Sequence, residues 1–452
     1  MLITLAYMPV ITGYPEFRSD TVPKGILKYA TVLLCCGAIF ILGSSNLAAQ
    51  TEIWNLETAV QRVLDEAPER RAAEAEVMAR QGLQRQASVW PNPTIELGMS
   101  NALGKEDGEG GTDLDQFTIS QPLPIFSGRL GGQRKQAQAN LKQAEAELVQ
   151  QGLMLEYAAA RVFHNLQLHN ALYQLAQQQL ESADEFQHIG RRREQAGDIS
   201  RLARLRLDMV RESAKQVITA AEGKRNESLS DFQTLMNMRD NQPQLTALDQ
   251  PPRLPNLEML EAQLEHHSSL IAARQGVESA RYGVELVRAN RFADPEIWLA
   301  HERGFLGDRR QNVTAFGVSV TVPLWDRGTG NIDAAQATQQ KAQFEVTTLQ
   351  RNLSNHLRLN HMHLSHLIEQ AQDYRQHVLE PANEIFQLTR KGFASGQVEI
   401  LNLVDAVDTY FEARVHYLEL LQGAWLESAE LRRNAGLSLF TAQPPINEGA
   451  AQ

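Results

Sequence analysis

The chain has 452 residues, 43% of them hydrophobic, and a formal net charge of −11. The apolar fraction is that of a folded protein and the length exceeds one ordinary domain. The acidic balance argues against nucleic acid as a partner and favours cations.

The first element is a leader. Lys24 and Lys28 precede an apolar run over residues 29–42, and small and polar residues follow to "SSNLAAQ". This is the order of a secretory signal peptide with cleavage after Ala49, so residues 1–49 are assigned to it. Read instead as a membrane anchor, the run is short against the ~20 residues a spanning helix needs. Both cysteines, Cys35 and Cys36, lie inside the run. The exported chain then has no disulfide and no thiolate site. Lipidation of Cys35 or Cys36 is the minor alternative, opposed by the apolar "GAIFILG" that continues past them.

Residues 55–89 read as helix. Strand-like alternation follows at about 94–103 and 114–123. Ile95, Leu97 and Met99 share one face, and Glu96, Gly98 and Ser100 the other. The polar, Gly-rich "GKEDGEGGTD" joins the two strands, as a water-facing loop does. A long helix is expected from about Gly128 to Gln195, roughly 100 Å. Leu141, Leu148, Leu155 and Val162 fall at heptad spacing on it, the mark of helix packed on helix. The pattern breaks at "EQAGDISRLARL", where Gly197 is a C-cap residue and Asp198 or Ser200 can cap the next helix. That helix runs back to about Arg239, closing a long hairpin with a tight tip.

Residues 243–255 are proline-rich and read as a linker. The programme then restarts. Residues 256–291 are helical, and strands follow at about 296–305 and 312–322 around the loop "LGDRR". A long helix comes next, with a kink expected at Pro381. A second tip carries Gly396, a last helix ends near Gly436, and a loose tail occupies 438–452. "WPNPTIEL" matches "FADPEIWL", aligning Pro93 with Pro295; "FTISQPLPIF" matches "FGVSVTVPLW", aligning Phe117 with Phe316; Gly197 aligns with Gly396. The expected fold is therefore mainly α with membrane β. It comprises two tandem repeats, 50–242 and 256–437, each a helix, a β-hairpin and a long helical hairpin.

At about ten residues, the strands have the length of membrane-spanning strands. The competing reading is two ordinary hairpins capping a helical domain, and Trp298, His301 and Glu302 make the third strand alternate poorly. Four strands cannot close a barrel, and an open edge in lipid leaves backbone groups unpaired. If the strands span a bilayer, other copies of the chain must satisfy those edges. An obligate oligomer in an outer membrane follows, with its helices in the periplasm.

Doubled strand-to-helix junctions, two Gly-marked tips and a secretory signal together resemble the TolC-like outer-membrane efflux channels, over nearly the whole exported chain. "PNPTIEL" and "VPLWDRGTGNIDAAQA" are similar to the cation-efflux, cobalt–zinc–cadmium branch. The resemblance implies a homotrimer in outer-membrane lipid, whose three copies form a twelve-stranded β-barrel continued by a periplasmic α-helical barrel. It implies the exit duct of a tripartite pump, with a periplasmic adaptor protein and an inner-membrane efflux transporter of the resistance–nodulation–division type. Heavy-metal or other cations are the implied cargo; drugs, organic solutes or polypeptides are the alternative within the class. No cofactor is implied.

Two sets of residues carry over. The tips that meet the adaptor correspond to Gly197, Asp198, Ile199 and Leu202, and to Gly396, Gln397, Val398 and Leu401. Gly permits the reversal, and the apolar residues offer docking knobs. The periplasmic aperture corresponds to "EILNLVDAVD". There Asp405 matches an acidic ring residue, and Asn402 stands where TolC has another Asp. The plainer reading of Asp405 is a solvated helix carboxylate.

Four more features complete the reading. Pro124 with Gly128, and Pro323 with Gly328, mark the strand-to-helix corners, where Pro ends ladder pairing. His363 and His366 in "NHLRLNHMHLSHL" have one zinc-ligand spacing but lack further ligands, so they are weak metal candidates and no firm site is assigned. "RRRE" at 191–194, near the first tip, reads most simply as solvated charge, with an adaptor-facing surface as the alternative. No Gly-rich phosphate loop, Ser/His/Asp constellation or CxxC pair occurs in the exported chain, so no catalytic residues are assigned and the protein is not read as an enzyme. The rival of another class is a secreted coiled-coil structural protein, against which the four membrane-type strands argue. A periplasmic metal buffer would rest on the histidines alone.

Overall fold

A computed structural model describes residues 53–99, 114–125, 127–238, 243–306 and 309–440. The leader, residues 100–103 of the expected first strand, the whole loop that follows it and the end of the tail lie outside these residues.

Helices dominate. α1 (Leu56–Glu66) starts at Asn55, whose side chain accepts the Thr58 N–H at 2.8 Å. It stops at Ala67, and α2 (Pro68–Gln86) begins with Pro68, where a helix needs no N–H donor. The single helix expected over 55–89 is thus two. α3 (Arg129–Gln195) is 67 residues long, and α4 (Arg201–Leu235) returns beside it. The helix expected over 256–291 is also divided. α5 (Leu257–Gln263) and a 3₁₀ turn (Leu264–His266) end at an extended His267. The His267 ring accepts the Ser269 N–H and so caps α6 (Ser268–Ala289).

α7 (Thr329–Tyr374) passes through a π-helical turn, Arg375–Leu379, into α8 (Glu380–Ala394). Pro381 sits at the start of α8. The break expected there takes the form of a widened turn that accommodates the residue lacking an N–H. α9 (Ile400–Asn434) completes the set, and Gly436, φ +73°, follows its C-cap Ala435.

The helices form rows rather than a ball. Toward the tips, α4 packs on α3, α3 on α9 and α9 on α8. Their shared core includes Phe186 and Leu175 of α3, Leu207 of α4, Phe386 and Phe393 of α8, and Leu403, Val407 and Phe411 of α9. Toward the sheet, α2 packs on α3, α3 on α6 and α6 on α7. Between these zones α1 inserts Ala59, Val60 and Val63 against Phe163 and Leu166 of α3 and Phe232 of α4.

The segment expected to be a linker is a pinned strap. Ile53–Trp54 (β1) pairs in parallel with Gln244–Leu245 (β4). Leu248 is buried with Ala371, Tyr417 and Leu421. Gln167 donates to the Thr246 carbonyl at 2.6 Å, and Trp425 donates to the Gln250 carbonyl at 2.8 Å. His164 lies stacked on Trp425 and bonded to Gln167, and burial pushes its pKa down to about 4, so it is neutral at physiological pH. The start of the expected loose tail is likewise fixed: Leu439 packs on a helical core, and its N–H donates to Glu156.

The remaining strands form one antiparallel sheet in the order β2–β3–β5–β6, made of Thr94–Met99, Leu114–Pro122, Glu296–Leu306 and Arg309–Ser319. β6 was expected over 312–322 but starts at Arg309, which pairs with Leu306. It also stops at Ser319, so Val320 and Val322 stand beyond the ladder. Among the described residues no helix is long and apolar enough to cross a membrane.

Candidate functional site

The sheet has two unlike faces. Register places Ile95, Ile119, Leu299 and Phe316 in one row across all four strands, flanked by a row holding Ile297 and Val318. Among the described residues nothing covers the face at Ile95, Phe316 and Val318, and Phe316 is 88% exposed. An uncovered apolar sheet face of this extent is an interaction surface rather than a solvated one. The opposite face carries Glu96, Thr118, Ala300 and Ala315 in one row. Two residues that disturbed the alternation of the third strand have local partners. Trp298 lies over Gly317, where a Cβ would come 2.5 Å from its ring. His301 hydrogen-bonds Thr314 directly across the ladder at 2.9 Å.

The strand-to-helix corners are built alike. Gly128 and Gly328 precede α3 and α7 with φ of +70° and +61°. Just ahead of each, a side chain accepts an N–H two residues on: Ser127 from Arg129, and Asp326 from Gly328. Pro124 and Pro323 lie outside the ladders, which end earlier, at Pro122 and Ser319. At the first corner, Ser127 and Arg129 both hold Asp294, whose side chain is almost fully buried; the Arg129–Asp294 contact is 2.7 Å. The second corner is bare, with Trp325 92% exposed.

The two tips share one backbone design. Gly197 and Gly396 have φ of +80° and +82°. In each, the glycine N–H returns to the third carbonyl before it, and the next N–H to the fifth: Asp198 to Arg193 at 2.8 Å, and Gln397 to Gly392 at 2.8 Å. This closure satisfies the last helix carbonyls and needs a residue at ease with positive φ. Ser200, rather than Asp198, caps α4, accepting from Ala203 N. Leu202 is 64% and Leu401 60% exposed. Asp198 and Gln397 are exposed, while Ile199 and Val398 are half-buried against Gly190 and Gly392. The "RRRE" run is only partly solvated. Arg193 lies over the Phe393 ring and donates to the Phe393 carbonyl at 3.3 Å, tying one tip to the other. Arg390 joins Glu185 at 2.7 Å in the same zone.

Asn402 and Asp405 are exposed on α9. They belong to a longer stripe, because Asp408 and Glu412 follow at helical spacing on the exposed surface. Burial, then Glu412 and Asp405 beside it, raise the Asp408 pKa above the usual aspartate value. The sequence signal for the added pair, an acidic residue every three or four positions, was present in "DAVDTYFE".

The histidines do not form a centre. His363 and His366 are exposed, and His363 lies 3.9 Å from Glu427. His361 is bonded to the Pro255 carbonyl. Among the described residues no group of three or more His, Cys, Asp or Glu could hold a metal ion.

This arrangement of an uncovered strand sheet, long paired helices and glycine tips matches a known family. The family model for outer membrane efflux proteins covers residues 59–238 and 259–437. The chain belongs to the outer membrane efflux protein family. As a member it is an outer-membrane protein of export, and its rival reading as a secreted coiled coil falls away. This efflux protein is 26% identical over 384 residues to the cobalt-zinc-cadmium resistance protein CzcC of Cupriavidus metallidurans, an alignment spanning 81% of this chain and 86% of that one. Its fold is similar to that of CusC, with a TM-score of 0.70 at 19% identity over 84% of this chain and 92% of that chain. It is also similar to VceC of Vibrio cholerae, with a TM-score of 0.70 at 16% identity over 85% and 96%.

Proposed function

We propose that the protein is the outer-membrane exit duct of a tripartite efflux pump for heavy-metal cations, and that it works as a trimer. In this reading each chain is two repeats of one unit, and three chains close a twelve-stranded barrel and a periplasmic helical barrel. An adaptor meets the tips, and an inner-membrane transporter supplies selection and energy.

The observation that carries the reading is that both layers of the chain end in open edges. β2 and β6 are the outer strands of a sheet with an uncovered apolar face. A lipid-facing sheet cannot leave edge N–H and C=O groups unpaired. α4 and α8 are the outer helices of the lower row, with Leu205 and Met209 exposed on one and Ile385 and Leu388 on the other. A head-to-tail contact between unlike edges closes into a ring when the rotation allows.

The cation assignment rests on the CzcC likeness and on the α9 stripe. Repeated around an axis, Asp405, Asp408 and Glu412 would ring the narrow end with carboxylates, which attract cations and repel one another. Leu202 and Leu401, with Gly197, Asp198, Ile199, Gly396, Gln397 and Val398, form the adaptor contact.

The test is fractionation with amine-reactive crosslinking, together with the metal and drug sensitivity of a deletion strain. The expected result is an outer-membrane trimer whose loss sensitises cells to cobalt, zinc or cadmium. A soluble monomer would end the channel reading; sensitivity to drugs alone would end the cation reading. Replacing Asp405 with Ala should alter conductance or cation preference of reconstituted channels, and no change in either removes Asp405 from the aperture.

A further inference from the structure

One large side chain stands on the polar face of the sheet. Register places Thr94, Ser120, Trp298 and Gly317 in one row across the four strands. This row shares a face with Glu96, Thr118, Ala300 and Ala315, opposite the apolar rows. Apart from Trp298, every member of the two rows is polar or small. Trp298 lies near the start of β5, at the end of the sheet that adjoins the helices.

The ring does not project from the sheet. A Cβ added at Gly317 would come 2.5 Å from Trp298 Cζ2, 2.7 Å from Cε2 and 3.0 Å from Nε1. The indole therefore lies across the ladder, on the backbone of its own cross-strand partner. Trp298 is half-buried in consequence, whereas Trp325 at the second corner is 92% exposed.

The seat is matched to the ring. Aligning Pro93 with Pro295 and Phe117 with Phe316 makes Glu96 the counterpart of Trp298 and Thr118 that of Gly317. Glu96 and Thr118 also pair across their ladder. Both members of the pair differ together between the halves. Where a ring must lie down, the partner has no side chain; where a carboxylate stands, the partner is β-branched. A milder case sits on the same face, where Gln116 lies against its partner Gly98, and a Cβ there would come 3.1 Å from it. Glycine in a strand marks such a close approach.

In a closed membrane barrel, the two faces of each strand divide between lipid and lumen. The apolar rows then meet lipid, and the face of Trp298 lines the passage. Resting on the exit-duct reading above, we infer that Trp298, seated on Gly317, sets the bore of the conduit at the helix end of the barrel. Each copy contributes one ring at one level. Lying flat, the rings leave the passage clear; lifted from the seat, all of them would enter it together. Gly317 acts as the positioning residue. Even an alanine there must displace the ring, since Cβ contacts below 3.0 Å are essentially never made.

Fluorescence tests the facing. In protein reconstituted into lipid vesicles, the emission of the parent minus that of Trp298→Phe is the signal of Trp298. It is expected to be quenched by aqueous acrylamide and not by brominated lipid tails. Quenching by the brominated lipid alone puts the ring on the lipid side and overturns the inference.

Single-channel recording tests the bore. Gly317→Ala is expected to lose conductance and Trp298→Ala to gain it. The double variant should match Trp298→Ala, because the glycine matters only through the ring. A purely structural pair would change the yield of assembled channels but not the conductance of each. Trp298→Ala asks nothing of the seat, so it tests the bore even where Gly317→Ala does not assemble. A parent that conducts, with Trp298→Ala conducting alike, overturns the bore assignment and leaves the duct standing. A loss at Gly317→Ala that persists in the double variant overturns the seat. A parent that forms no channels would instead sink the exit-duct reading itself.

Discussion

The two hairpin tips have one backbone and two chemistries. Both close on a positive-φ glycine with the same pair of returning hydrogen bonds. Counting on from the glycines, Leu202 matches Leu401, but Arg206 matches Asp405 and Met209 matches Asp408. The first tip is followed by a helix face of arginine and exposed apolar residues, the second by a face of carboxylates. Turn geometry depends on a few local positions that both halves retain, whereas the face beyond the turn is free to diverge. On the proposed reading both tips meet the adaptor, and the carboxylate face beyond the second tip also shapes the conduit.

The largest expected effect comes from breaking the shared element. Leu202→Asp places a charge on the apolar knob of the proposed adaptor contact, and should weaken adaptor binding by about 2 kcal/mol, roughly 30-fold. Binding of the adaptor to the purified oligomer measures this. Leu401→Asp should cost less in that assay but change channel conductance, because it adds a carboxylate beside Asp405. If both variants lose adaptor affinity equally and neither alters conductance, the tips are equivalent and the division of labour fails.

Next in size are the glycines. Alanine at Gly197 or Gly396 must adopt a left-handed backbone, at roughly 1–2 kcal/mol each. The two losses should be alike, as nothing lies within 4 Å of an added Cβ at Gly197, and the Arg193 side chain, at 3.6 Å, is the nearest group at Gly396. Denaturant unfolding of the detergent-solubilised protein reads both. A markedly larger loss at one tip would show that the closures differ in more than chemistry.

Smaller still is the tie between the tips. Arg193→Ala removes a cation–π contact and a hydrogen bond to the Phe393 carbonyl, worth about 1 kcal/mol together. Its signature is coupling. Proteolysis near the second tip should accelerate although the substitution lies at the first, and an unchanged cleavage rate would show the tips to be independent.

What the sequence made legible was whatever depends on local period and punctuation. The alternation of Ile95, Leu97 and Met99, the heptads of α3 and the glycines of both tips are such signals. The break at His267 was not legible, because neither Pro nor Gly marks it; a histidine ring performs the capping. The strap was read as a linker because its prolines dominate, whereas its order comes from Leu248 and from bonds reaching back to Gln167 and Trp425. Arg193 looked solvated because its partner, Phe393, is remote in the chain. The early end of β6 at Ser319 was not legible, because the alternation of "SVTVPLW" continues unbroken to Val322. Among the candidate site residues, Asp405 and Asn402 came from the family resemblance. Asp408 and Glu412 emerged only when the exposed face of α9 was known.

The last difference between the halves is a single carboxyl. Met209 carries no charge, and its counterpart Asp408 is raised in pKa by burial and by Glu412 and Asp405. A carboxyl raised in the fold costs nothing while protonated in both states. The cost appears as pH climbs past the unfolded value, near 3.8, and is complete above the raised folded value. Asp408→Asn makes this site uncharged, as it is in the first half. The variant should therefore unfold at higher denaturant than the parent at neutral pH, and the advantage should vanish on acidification below the unfolded value. Met209→Asp is the reciprocal change. It should cost less stability and show a weaker pH dependence, because the first hairpin offers Arg206 nearby rather than a second carboxylate. Equal and opposite shifts from the two substitutions would mean that the acidic stripe has no collective character, and that each half tolerates a carboxyl in the same way.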